Sequence, residues 1–273
     1  MVKFRSEKVS PTVTRIYGLT DEQMYLVEGS EKAALIDTGS GAGSLKAYVE
    51  TLTDKPVIVL LTHGHVDHAL GAPEFEEVYM NHDDDYIYNQ HCPLEVRKGA
   101  LSGAPAFNDI VEEDYIPVEA CDRFHDLKEG DVFDLGGVTI EIYECPGHTK
   151  GSVVMLLREE RTLITGDSCN TFTFLFDDYS EHLVVYEKNL KALMEKTEGK
   201  YDRVYLSHGV SPVSKDILQG VLQVCQDIKD KNTDDVPFQF MDKHAFIAKA
   251  MTLEMNRVDG GIGNIVYSPD RIW

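Results

Sequence analysis

The stretch Leu60–Ala72 reads LLTHGHVDHALGA, and its reading decides how the rest of the chain is understood. Three of the chain's ten histidines and an aspartate stand within six positions, directly after the apolar run VIVLL at Val57–Leu61. A strand over Val57 to Thr62 delivers His63 to its carboxyl end, where open α/β sheets place their ligands. In extended backbone, side chains two apart point the same way, so His63 and His65 face one point while Asp67 and His68 reach beside it. Imidazole nitrogen and carboxylate oxygen are the ligands that first-row divalent ions accept when a position must stay open for water. The pattern predicts a metal site rather than a chance cluster of core or solvated histidines.

Further candidate ligands stand at other strand ends. The strand ending at Cys145 runs into PGHT with His148, the strand Thr162 to Thr165 into GDS with Asp167, and the strand Val204 to Leu206 into SHG with His208. A glycine adjoins the polar residue each time, as expected where backbone turns sharply at a crowded site. With the first group they make seven ligands, enough for two ions sharing a carboxylate.

THGHVDH, followed in order by PGHT, TGD and SHG and preceded by LIDTG at Leu35–Gly39, resembles the metallo-β-lactamase fold superfamily, and in particular its glyoxalase II-like hydrolase branch. The resemblance runs from about Val13 to Val210. It implies an α/β fold, a four-layer αβ/βα sandwich, with a dinuclear site at one edge. It also implies that His63, His65 and His148 hold one metal, that Asp67, His68 and His208 hold the second, and that Asp167 bridges both. Asp37 would orient a ligand imidazole. The cofactors are then two divalent ions, zinc first, with manganese or iron also accepted by such ligands. A hydroxide held between the ions is the expected nucleophile, and Asp67 the catalytic residue that ligates and orients it.

Composition agrees with a globular protein. The chain has 273 residues, 42% of them hydrophobic, enough for a buried core. Its 26 Lys+Arg against 47 Asp+Glu give a formal charge of −21, which repels polyanions and argues against a nucleic-acid partner. DDD at Asp83–Asp85 reads as a solvated face or a helix start. The amino terminus lacks the apolar segment of a signal peptide, and no window approaches a membrane span, so a cytoplasmic protein is expected. Five widely spaced cysteines read as reduced, mostly buried thiols. The expected partner is a small-molecule substrate, with a homodimer as the candidate assembly.

Apolar and alternating runs predict strands at Val13–Tyr17, Met24–Glu28, Ala33–Asp37, Val57–Thr62, Glu77–Met80, Val138–Glu144, Val153–Leu157, Thr162–Thr165 and Arg203–Leu206. Helical stripes run through Leu45 to Leu52, Tyr186 to Met194 and Ile217 to Ile228, the last with Ser214 as N-cap and Lys229 in its final turn. A single domain over 1–273 is the simplest organisation. Residues from about 89 to 126 read as a lid insertion, and those from about 233 to 273 as a carboxyl-terminal extension.

The substrate must be argued from what surrounds the metals. The family's β-lactam-hydrolysing enzymes with three-histidine first sites carry cysteine where this chain has Asp167, and lack a ligand at the position of His68. Lactonases of the family use a tyrosine three positions after the bridging aspartate, where this chain has Asn170, with Tyr179, Tyr86 and Tyr88 as substitutes. Leu101, Phe107 and Tyr115 of the insertion are expected to wall an apolar pocket, with Asn170 and Tyr179 beside it. The reading is a hydrolase of a small ester, lactone or thioester. Its rivals are a small-molecule phosphodiesterase on the same ions and a non-hydrolytic di-iron redox or sensor protein.

Overall fold

The first 142 residues build one sheet from β1 (Arg5–Lys8), β2 (Val13–Tyr17), β3 (Gln23–Glu28), β4 (Ala33–Ile36), β5 (Val57–Leu60), β6 (Val78–Met80) and β7 (His125–Asp126), hydrogen-bonded in sequence order in the computed structural model. The strands from β1 to β4 pair antiparallel and those from β4 to β7 parallel. The sense changes where the sequence turns wholly apolar. All four residues of β4 and the last three of β5 are buried, as strands covered on both faces require.

Helices α1 (Leu45–Val49), α2 (Val66–Ala69), α3 (Asp85–His91) and α4 (Leu94–Leu101) occupy the connections between the parallel strands. α1 stops at Val49, short of Leu52. The N–H groups of Leu52 and Thr53 both return to the Val49 carbonyl, so the stripe ends in a turn instead of a further helical turn. Leu45, Val49, Val59, Leu61 and Tyr88 join Leu26 and Leu35 in one core.

Two strands, β8 (Val132–Asp134) and β9 (Thr139–Glu144), form a hairpin, and β9 carries the chain from one compact unit to the other. The first unit is Met1–Ile142 with Leu157–Glu160, and the second is Tyr143–Leu156 with Arg161–Trp273. The structure describes residues 2–105, 107–118, 120–240 and 243–273.

The second unit holds β10 (Val153–Leu157), β11 (Thr162–Ile164), β12 (Thr173–Leu175), α5 (Leu183–Thr197), β13 (Arg203–Tyr205), β14 (Val213–Ser214), α6 (Ile217–Lys229), β15 (Val236–Phe240), β16 (Lys243–Ile247) and β17 (Ile265–Tyr267). Strands run in the order β14-β13-β11-β10 in one sheet and β12-β17-β16-β15 in a second. The stripes of α5 and α6 meet over one core, where Tyr186, Leu190 and Leu193 pack with Val221, Val224 and Ile228. Glu187 of α5 takes Lys191 at 2.7 Å and Lys229 at 2.5 Å, so Lys229 bridges the two helices in addition to suiting the last turn.

Ser214 is not the N-cap of α6. It pairs with Arg203 in β14, and Asp216 takes the cap position while the Ser214 hydroxyl accepts the Asp216 N–H at 3.2 Å. A strand-forming neighbour, Val213, outweighs the capping preference of serine here. β17 sits between β12 and β16, wholly buried. Among the described residues no helix is long and apolar enough to cross a membrane.

Candidate metal centre

β4 and β5 lie parallel and adjacent, so the residues leaving their carboxyl ends meet. Asp37 leaves β4 with φ of 62°, in the left-handed region, which turns its carboxylate over the end of β5. One oxygen accepts the Thr62 N–H at 2.7 Å. The other accepts the Thr62 hydroxyl at 2.8 Å and His68 Nδ1–H at 2.8 Å. The Thr62 hydroxyl also stands 3.0 Å from His63 Nδ1. It has one proton and gives it to Asp37, so it accepts from His63 Nδ1–H, and the network thereby assigns the tautomer. His63 and His68 both carry their proton on Nδ1 and present Nε2 on the other side. Asp37 is buried, and three donors on one carboxylate offset the cost of its burial.

The presented nitrogens face further ligand types. His63 Nε2 lies 3.1 Å from His65 Nδ1, and His68 Nε2 lies 3.6 Å from Asp67 Oδ2. His65 caps α2 in extended conformation, and Asp67 and His68 follow in its turn. The tight passage needs glycine at position 64, where a Cβ would stand 2.9 Å from the Asp84 carbonyl oxygen; the Gly64 N–H donates to the Asp84 carboxylate at 2.8 Å. DDD is a helix start rather than a solvated face: Asp84 is buried between an exposed Asp83 and a half-buried Asp85, the residue at which α3 opens.

In the second unit, Asp167 follows β11 after Gly166, whose φ is 53°. Its Oδ2 stands 3.7 Å from His148 Nε2 and 3.5 Å from His208 Nε2, at or beyond the outer limit of a hydrogen bond. Asn170 donates to its other oxygen at 3.3 Å, which keeps Oδ2 toward the imidazoles. The Phe174 carbonyl is only an acceptor, so its 2.9 Å contact places the proton of His148 on Nδ1 and leaves Nε2 toward Asp167. Ser180 holds the His148 carbonyl at 3.0 Å. Gly147 is obligatory, because a Cβ there would lie 2.1 Å from the Tyr186 ring, itself tied to the Ser168 carbonyl at 2.6 Å.

Pairs of candidate donor atoms stand at the separation that two ligands of one divalent ion adopt. Donor atoms 2.0–2.1 Å from a tetrahedral zinc stand about 3.3 Å from one another. The four separations, 3.1, 3.6, 3.7 and 3.5 Å, bracket that value. Each imidazole with an assigned tautomer has its proton anchored on Nδ1 and its Nε2 toward the other ligands.

The residues expected to wall a pocket are placed differently from one another. Leu101 and Tyr115 are buried and pack with Ala42, Ala104 and a half-buried Phe107 in a small cluster of their own. A surface cavity in that stretch is lined instead by Asn89, Cys92, Pro93, Val118 and Ala120. Tyr179 is half-buried, Tyr86 is exposed, and Tyr88 is wholly buried, which pushes its phenol far up. Cys169, two residues past Asp167, is a core thiol whose burial raises its pKa well above the usual value. Arg97 carried no motif, yet its buried guanidinium donates to the carbonyls of Ser40, Gly41 and Ile116 and fastens α4 to the loop after β4.

The family profile of the metallo-beta-lactamase superfamily matches residues 17–208. Hydroxyacylglutathione hydrolase GloC of Haemophilus influenzae is 29% identical over 145 residues, covering 51% of this chain and 62% of that protein. Acyl-coenzyme A thioesterase MBLAC2 of Homo sapiens is 26% identical over 160 residues, covering 53% of this chain and 57% of that protein. A metallo-beta-lactamase from Pontibacter korlensis superposes with a TM-score of 0.61 at 19% identity, over 82% of this chain and all of that one. The chain spans about half the length of the curated relatives it matches.

Proposed function

Because the chain belongs to the metallo-beta-lactamase superfamily, we propose that it is a metal-dependent hydrolase of small esters, lactones or thioesters, with thioesters foremost. On this reading the candidate ligands of two divalent ions, zinc before manganese or iron, are His63, His65, Asp67, His68, His148, Asp167 and His208. The observation that carries it is the set of anchored Nδ1 protons. Asp37, Thr62 and the Phe174 carbonyl each fix an imidazole proton away from the ligand side.

A bound metal pair supplies Lewis acidity, lowering the pKa of water toward about 7 and polarising a scissile carbonyl. The protein's own part is orientation. Asp67, partly exposed at the first turn of α2, would be among the residues that hold the ions and would orient the attacking water. Asn170 donates to the Asp167 carboxylate, a positioning role at the place where the family's lactonases carry tyrosine. Thioesters come first because two relatives bear the names hydroxyacylglutathione hydrolase and acyl-coenzyme A thioesterase. The net charge of −21 disfavours a polyanionic substrate such as nucleic acid. A cytoplasmic setting suits its five free cysteines.

Parallel assays of the metal-loaded protein on an acyl thioester, p-nitrophenyl acetate, a homoserine lactone and bis(p-nitrophenyl) phosphate test the reading. Turnover of the carbonyl substrates is expected. Turnover of the phosphodiester alone would replace it with a phosphodiesterase, and two bound irons with a visible charge-transfer band and no hydrolysis would replace it with a redox protein.

A further inference from the structure

Beside the ligand group of the second unit lies a surface that no step above uses. β12 carries Phe174, and Phe176 follows two residues on, so both point to one side; β15 does the same with Phe238 and Phe240. Their strands stand at opposite edges of the four-stranded sheet. On a flat sheet, three strand spacings would hold them about 14 Å apart. Yet the ring centroids of Phe174 and Phe238 are 5.6 Å apart, and those of Phe176 and Phe240 are 6.1 Å apart. The sheet therefore curls, and rings from its two edges meet over Ala245 and Val266. Phe176 is buried, Phe174 and Phe238 are half-buried, and Phe240 is 44% exposed, so the face opens to solvent along Phe240.

The same strand sets the histidine. The carbonyl that fixes His148 Nδ1–H belongs to Phe174, so an aromatic wall and a candidate ligand share one residue of backbone. We propose that this aromatic face binds the apolar acyl chain of the substrate, making the enzyme selective for medium-chain or aryl acyl groups. The proposal rests on the hydrolase reading above and deepens it to a substrate class. Chain-length selectivity follows because each methylene laid on the rings leaves water, and an acetyl group has no methylene to lay there.

The test uses the full-length, metal-loaded protein and p-nitrophenyl esters from acetate to octanoate. kcat/KM rises with chain length, and Phe240→Ala lowers the octanoate-to-acetate ratio about 10-fold, within the range that a change of pocket contacts gives. Leu253→Ala removes a side chain that is 98% exposed and outside the cluster, and leaves the ratio as it was. Phe238→Leu, which keeps bulk in the face, gives a smaller loss and serves if Phe240→Ala does not fold. Binding of octanoate relative to acetate, measured by calorimetry, weakens in parallel. Octanoate binding that depends on Phe240 in a protein that hydrolyses no ester would sink the hydrolase reading while leaving the aromatic site standing. Ester hydrolysis with no chain-length preference, or an unchanged ratio in folded Phe240→Ala, would overturn the aromatic site alone.

Discussion

Replacing Asp37 by asparagine separates the charge of that residue from its shape. The position has φ of 62°, which asparagine tolerates as well as aspartate, so the backbone is undisturbed. The hydrogen bonds are not. In the native chain the carboxylate accepts Thr62 N–H, the Thr62 hydroxyl and His68 Nδ1–H at 2.7 to 2.8 Å. An amide keeps one oxygen for Thr62 and turns an NH2 toward His68, where two donors cannot face each other. His68 must then move its proton to Nε2, the atom proposed to ligate. Loss of such an orienting partner costs about 10–100-fold in metal affinity or activity, roughly 1.4–2.7 kcal/mol. The lost charge-assisted bond adds about 1.5–3 kcal/mol to the destabilisation of the fold. Competition with a metal-buffering chelator measures the affinity, and a chemical melt measures the fold. A folded Asp37→Asn protein that binds zinc within twofold of the native one would refute the tautomer argument.

Other expected outcomes follow from single contacts. Gly147→Ala drives a methyl to 2.1 Å from the Tyr186 ring, which is fully buried and hydrogen-bonded, and overpacking of this kind costs about 1–3 kcal/mol; an unchanged thermal midpoint would contradict it. Burial raises the Cys92 thiol to about 11 and those of Cys121 and Cys145 to about 12, so iodoacetamide at pH 8 should leave these three unmodified until urea is added. Hydrogen bonds from Arg257 hold Asp259 at about 2, below its ordinary 3.8, so the pair stabilises the fold above pH 4 and loses that contribution as the pH falls toward 2. With the Asp259 side chain 47% exposed, screening limits the effect to under about 1 kcal/mol, seen as a gap between native and Arg257→Gln stabilities that closes on acidification.

The candidate ligands were legible because their chemistry restricts both residue type and spacing. Few structural needs place three imidazoles and a carboxylate in six positions, and the glycines beside His148, Asp167 and His208 mark turns at strand ends. What supports those groups was less legible. In DDD nothing distinguishes the buried Asp84 from its neighbours, because its role is set by a Gly64 N–H twenty residues away. Asn170 read as a missing tyrosine, whereas its amide holds Asp167. Strands of the core announced themselves by apolar runs, but β15 reads VPFQF with a proline and no clean alternation, and β17 is three residues long. Their pairing depends on chain far away in sequence, so the curled sheet they build could not be read from local pattern. Leu101, Phe107 and Tyr115 share one cluster, and position in the chain alone does not separate such packing from lining a pocket.

The most direct measurement is the metal content of the purified protein by elemental mass spectrometry, paired with its hydrolytic rate before and after chelation. The account predicts about two divalent ions per chain, activity lost as they leave, and recovery on adding zinc, manganese or ferrous iron. A metal-stripped chain that still hydrolyses its substrate at the original rate would contradict it.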